Sequence, residues 1–117
     1  PLADPYWAID VECVATGYRH CDRSVAQISL IRGDCSVALD LYVRPAIPVV
    51  SYLTPLTGLT AEALEQKGTS LEEALATLRS HLPRDAVIVG HSVHIDIAWL
   101  GLQQGLDFVG IVDVASL

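Results

Sequence analysis

Apolar and polar positions change their spacing several times along this chain, and each change marks an element. The run Trp7-Ala8-Ile9-Asp10-Val11-Glu12-Cys13 alternates. On a strand, residues two apart share a face, so Ile9 and Val11 turn toward a core while Asp10 and Glu12 lie side by side. This first strand covers about 6–13, after a lead-in loop from Pro1 to Pro5, and Ala15-Thr16-Gly17 breaks it. Tyr18 to Ser24 is a polar turn, and Val25 to Ile31 alternates as a second strand. Gly33-Asp34 reads as a hairpin turn before a third strand, Ser36 to Val43, closed by Arg44-Pro45. Short turns between three successive strands predict antiparallel pairing.

Beyond a proline-containing loop over 45–58 the period becomes helical. Thr60 is a candidate N-cap for a short helix over 61–66, with Glu62 in its first turn. Ser70 and Glu73 form a capping-box pattern opening a second helix. Its positions Leu71, Ala74, Leu75, Leu78 and Leu82 keep helical spacing, and Pro83 ends it. Ala86-Val87-Ile88-Val89-Gly90 is continuously apolar, as expected of a strand covered on both faces. Ser92 or a neighbour caps a further helix reaching about Gln103, with Ile97 and Leu100 inward, and Gly105 stops it. Val109 to Val114 forms the last strand, and Ala115-Ser116-Leu117 resembles the start of another helix. Three strands, helices, strand, helix and strand make an α/β domain. There are no repeats or linkers, so all 117 residues belong to one domain.

Composition narrows the class. The chain is 51% hydrophobic with a mean hydropathy of +0.41, yet no run has the length of a membrane span and no basic-then-apolar leader opens it. The excess apolar content implies a well-buried sheet or a surface that something else covers. A net charge of −7, with one Lys and six Arg, excludes a passive nucleic-acid binder with a basic stripe. Three cysteines (Cys13, Cys21, Cys35) without paired spacing point to a reducing intracellular setting. Cys13, His20 and Cys21 are ligand types, but too few and unpaired for a zinc site.

Charge matters most inside the first strand. Two adjacent carboxylates on an apolar strand repel each other and cost desolvation unless a cation joins them. Carboxylate oxygens suit Mg²⁺ and Mn²⁺; the alternative is a wet edge strand. Asp96, in the first turn of the helix after strand 86–90, is the third acid of interest. If that strand runs parallel beside 6–13, Asp96 arrives near their shared carboxyl ends, where α/β sheets place their sites. Otherwise it only complements the helix dipole.

Four stretches then carry a resemblance in common order. IDVECVATG is similar to the first motif of the DEDD 3′→5′ exonucleases, nearest the RNA exonuclease 4-like branch, and LYVRPAIPVVSYLTPLTGLT to that branch's strand, proline loop and following turn. VGHSVHIDIAWLGL resembles the second exonuclease motif and VDVASL the next strand end. The resemblance implies a ribonuclease-H-like fold, a mixed five-stranded sheet with helices on both sides. It implies two Mg²⁺ or Mn²⁺ ions: Asp10 on both, Glu12 on one and on the substrate end, Asp96 on the second. Thr16, Gly17, Tyr52 and His91 become substrate-contact candidates, with packing the alternative for Tyr52 and a strand-end hydrogen bond for His91. Implied partners are the 3′ end of single-stranded RNA or DNA, and the implied location is nuclear or nucleolar.

The departures are specific. The family's third motif, a His followed five residues later by an Asp, has no match after Asp113, which itself falls on a non-catalytic position. Ile95 stands where the family often has Asn, and Ser51 where Asp is common. Trp7 and Trp99 read as core, and Arg19 and Arg23 as solvated turn residues. Two readings follow. The first is a metal-dependent 3′→5′ exonuclease domain, acting preferentially on RNA and releasing 5′-mononucleotides. This chain would cover its amino-terminal two-thirds, be nearly inactive alone, and leave an apolar sheet face for a partner or a further segment. The second is an exonuclease-like binding or assembly module without catalysis.

Overall fold

The structure is a computed structural model and describes residues 4–116. Residues 1–3 of the expected lead-in and Leu117 of the expected terminal helix lie outside the described residues. Among the described residues five strands form one mixed sheet: β1 (Tyr6–Ala15), β2 (Arg23–Arg32), β3 (Val37–Tyr42), β4 (Val87–Gly90) and β5 (Gly110–Asp113), in the order β3-β2-β1-β4-β5. The first three pair antiparallel, as their short turns require, whereas β4 joins β1 in parallel and β5 joins β4 in parallel. The β2–β3 hairpin closes over Gly33-Asp34-Cys35, with Cys35 in the left-handed region at φ 72°.

Among the described residues four helices pack on this sheet: α1 (Thr54–Thr57), α2 (Ala61–Lys67), α3 (Leu71–His81) and α4 (Val93–Leu100); a 3-10 turn, Val114–Ser116, follows β5. Thr60 and Ser70 cap α2 and α3 as expected, accepting the N–H of Ala63 and of Glu73. Two expectations are corrected at α4. It stops at Leu100 rather than near Gln103, because Gly101 takes a left-handed C-cap at φ 64° and donates to Ala98 and Ile97. Ser92 does not cap through its side chain; it is left-handed at φ 53°, and its N–H donates to the Asp113 carboxylate at 2.9 Å.

Strand alternation separates two cores. Ile9, Ile28, Leu30 and Ile88 face α3 and α4, burying Leu78, Val93, Ile97 and Leu100. Trp7 packs half-buried against this core. On the other face, Val14 and Ala26 meet Leu59 and Leu64 of the α2 region, with Tyr52 packed against them. Past that small cluster the second face is thinly covered. Ala8, Val89 and Val112 form one half-buried row across three strands, and Tyr6 is 49% exposed.

Trp99 departs from its expected core position. Val93, Ile97 and Leu100 occupy the inward arc of α4, and a residue two beyond Ile97 is turned about 200° away. It remains 40% exposed. Among the described residues no helix is long and apolar enough to cross a membrane.

Candidate active site

β1 outruns β4. The parallel pairing ends at Ala8 opposite Val89, while β1 continues to Ala15 and β4 turns off after Gly90 into α4. Asp10 and Glu12 therefore lie beyond the last paired residue, and α4 brings Asp96 in its first turn to the same end. The parallel arrangement that the first two acids required of the third is present.

The three carboxylates act on one another. Asp96 is half-buried, and burial first, then the charges of Asp10 and Glu12, push its carboxyl up to about 6. Glu12 is also raised, by burial and then by Asp10. The Cys13 thiol goes up to about 11, through burial and then the nearby Asp96 and Glu12 charges, with Arg23 opposing. Negative charge has thus been gathered at this end of the sheet without an equal positive charge.

A cavity of about 460 Å³ opens beside Glu12 and Asp96; Asp10 does not line it. Val11, Glu12 and Cys13, three consecutive strand residues, all line it, so it runs along the edge of β1 that β4 has left. Asp96 and Arg23 contribute polar walls, and Leu53, Leu56, Ile95 and Trp99 apolar ones. Leu56 is 81% and Ile95 60% exposed, unusual for side chains that a fold has no use for in packing.

The donor chemistry suits a hard cation, since every acid offers carboxylate oxygens. Among the described residues no three His, Cys, Asp or Glu side chains converge tightly enough to enclose an ion by themselves. That is compatible with Mg²⁺, which usually keeps waters or phosphate oxygens beside one or two carboxylates.

The other candidates are placed elsewhere. Thr16 donates its N–H to the Asp22 carbonyl at 3.0 Å, closing the β1–β2 turn. Gly17 sits against the Asp22 side chain, where a Cβ would collide with the carboxylate. Tyr52 packs into the smaller core, and its carbonyl accepts from Thr57 Oγ1 at 2.9 Å. His91 is exposed in the β4–α4 turn, its Nδ1 3.5 Å from Ser92 Oγ. None of the four lines the cavity that holds Glu12 and Asp96.

Asp113, on a position that the resemblance makes non-catalytic, ties the site together. One carboxylate oxygen accepts the N–H of Ser92 at 2.9 Å and of Ala115 at 3.0 Å, and these bonds lower its pKa. The other stands 3.9 Å from His94 Nε2. It thereby clamps the turn that delivers Asp96. The sequence marks its strand end but not its bonds to Ser92 and Ala115, whereas Trp99 is findable: three residues past Asp96, it occupies the same side of the helix.

A family model described as RNase_T, Exonuclease, matches residues 7–104. Small RNA degrading nuclease 3 of Arabidopsis thaliana is 29% identical over 96 residues, which is 82% of this chain and 12% of that protein. RNA exonuclease 4 of Candida glabrata is 32% identical over 99 residues, 85% of this chain and 37% of its own length. Among solved structures, the Neurospora crassa Pan2 catalytic unit, protease and nuclease domain, superposes with a TM-score of 0.74 at 20% identity. The match covers 99% of this chain and 20% of the other, a likeness of fold.

Proposed function

Because this chain belongs to the RNase_T exonuclease family and has its ribonuclease-H-like fold, we propose that it carries the first acid motifs of a metal-dependent 3′→5′ exonuclease that removes 5′-mononucleotides from RNA. The family generally uses divalent metal ions. Here we assign two, Mg²⁺ or Mn²⁺, with Asp10 held in common, Glu12 on one and Asp96 on the other. The supporting observation is that burial, and then the charges of Asp10 and Glu12, push the Asp96 carboxyl up to about 6, and bound cations would relieve the repulsive part. The names of relatives, small RNA degrading nuclease and RNA exonuclease, favour RNA as the substrate.

Asp10, Glu12 and Asp96 would hold divalent cations, which would supply positive charge at the scissile phosphate and lower the pKa of the attacking water. The chain's own residues do the rest. Leu53, Leu56 and Ile95 offer an apolar wall to the terminal base and keep water from it. Asp113 fixes the turn that carries Asp96, so the third acid meets the strand acids at a constant position.

The test uses the full-length protein with 5′-labelled single-stranded RNA and Mn²⁺. The expected result is a ladder shortening by one nucleotide at a time with release of 5′-mononucleotides, abolished by Asp10→Ala. Folded wild-type protein that binds the RNA without shortening it refutes the enzyme and leaves a binding module.

A further inference from the structure

The opening beside the acids does not end there. Two of its walls, Arg23 at the start of β2 and Trp99 on α4, are also walls of a second cavity of about 280 Å³. That second cavity runs past Arg44 and Ile47, just after β3, to Ser70 and Leu71 at the head of α3. Two openings that share two walls make one groove, leading away from Glu12 and Asp96.

The chemistry changes along it. Its first end is crowded with carboxylates. Arg23 lines both cavities and Arg44 only the second, and neither is in an ion pair among the described residues. Arg23 donates through Nη1 to the carbonyls of Arg19 (3.2 Å) and Asp22 (2.9 Å). Those bonds orient the guanidinium without neutralising it. Trp99 shares the second cavity with both arginines, 40% exposed on a helix whose Ile97 and Leu100 are buried. The chain has only seven Lys and Arg against fourteen Asp and Glu. Two unpaired arginines and an open indole on one groove are therefore a local reversal of the protein's overall charge. Cations for phosphates and an aromatic face for a base are what a groove for single-stranded nucleic acid combines.

We propose that this groove holds the strand upstream of the scissile linkage, with a base stacked on the Trp99 indole and phosphates facing Arg23 and Arg44. The inference rests on the exonuclease reading. It adds that affinity for a long strand comes from residues other than the acids, on a groove continuous with their cavity. The acids alone would repel the phosphates there, which is why the arginines are needed beyond them.

The experiment measures binding of 5′-fluorescein-labelled oligoadenylates of two and six nucleotides by anisotropy, using the full-length protein with Asp10→Asn to stop turnover. The six-over-two affinity ratio is expected to fall about tenfold in Trp99→Ala and again in Arg44→Ala. Trp99→Phe and Arg44→Lys should restore most of it. The salt slope of hexamer binding should decrease by about 0.7 in Arg44→Ala, as for one lost phosphate contact on a single strand. Arg44 is exposed, so its variant reports even if replacing Trp99 disturbs α4. An unchanged ratio in both variants, with wild-type protein still degrading RNA, overturns the groove and leaves the exonuclease reading intact. A wild type that degrades no RNA overturns both.

Discussion

Replacing Asp96 by Asn should make the metal-free protein more stable, which is the opposite of the usual effect of altering a half-buried polar residue. In the unfolded chain the Asp96 carboxyl loses its proton near 3.8; in the folded protein it holds on to about 6. Between those values the folded state keeps a proton that the unfolded state has released. The stability of the wild type therefore falls as pH rises through the folded value, and the whole penalty is present at pH 8. A rise of about 2 in pKa corresponds to about 3 kcal/mol at most. Asp96 is only half-buried, so solvent screening reduces the expected gain to about 1 kcal/mol. Asn cannot ionise, keeps the shape, and removes the repulsion from Asp10 and Glu12. Urea denaturation in EDTA should show Asp96→Asn about 1 kcal/mol more stable at pH 8 and equal to wild type below about pH 4. Adding Mn²⁺ should reverse the order, because the wild type gains by mass action and the variant gains less. A variant that is no more stable than wild type in EDTA at pH 8 would refute the burial and repulsion that together raise the Asp96 carboxyl.

Three further outcomes are expected. Leu78, with no exposure at the centre of the main core, should cost about 3 kcal/mol as Leu78→Ala, read from the urea midpoint. Cys35→Gly should raise stability by about 0.5 to 1 kcal/mol in the same assay, since glycine adopts the left-handed conformation at φ 72° without the Cβ clash and the exposed thiol is lost at no packing cost. Asp113→Ala should shrink the Mn²⁺-induced rise in Tm more than Asp113→Asn, whose carbonyl oxygen still accepts from Ser92 and Ala115. Equal rises in the two variants would argue against the clamp.

Much of the fold was legible because the strands carry their own pattern. The alternation at Ile9, Val11 and Cys13 and the solid apolar run 86–90 placed β1 and β4, and the capping residues Thr60 and Ser70 placed the starts of α2 and α3. The approach of Asp10, Glu12 and Asp96 follows from a parallel β1–β4 pairing. What escaped depended on contacts distant in sequence. Ser92 looked like a cap because serine usually is one; its left-handed backbone is held by Asp113, twenty-one residues later. Trp99 looked like core because tryptophan usually is. Its position two residues from Ile97 on a short helix with a narrow buried arc turns it outward. The link from Arg23 to Arg44 could not be seen at all, since it needs the starts of β2 and α3 and the end of β3 to meet.

The departure of β4 from β1 has a consequence for how this protein is dissected. The peptide N–H and C=O of Ala15 face the loop at Ser51 and Val50 across that open edge, at 2.8 Å each. Strand alternation turns the peptide groups of Val11 and Cys13 to the same side, where no neighbouring strand takes them. They are donors and acceptors lying directly along the cavity wall. Any contact they make with a bound sugar or phosphate belongs to the main chain, so no side-chain substitution deletes it. Alanine scanning of β1 will therefore credit Asp10 and Glu12 with the whole of the strand's contribution. Replacing the Val11 or Cys13 amide by an ester is the perturbation that would reveal the remainder.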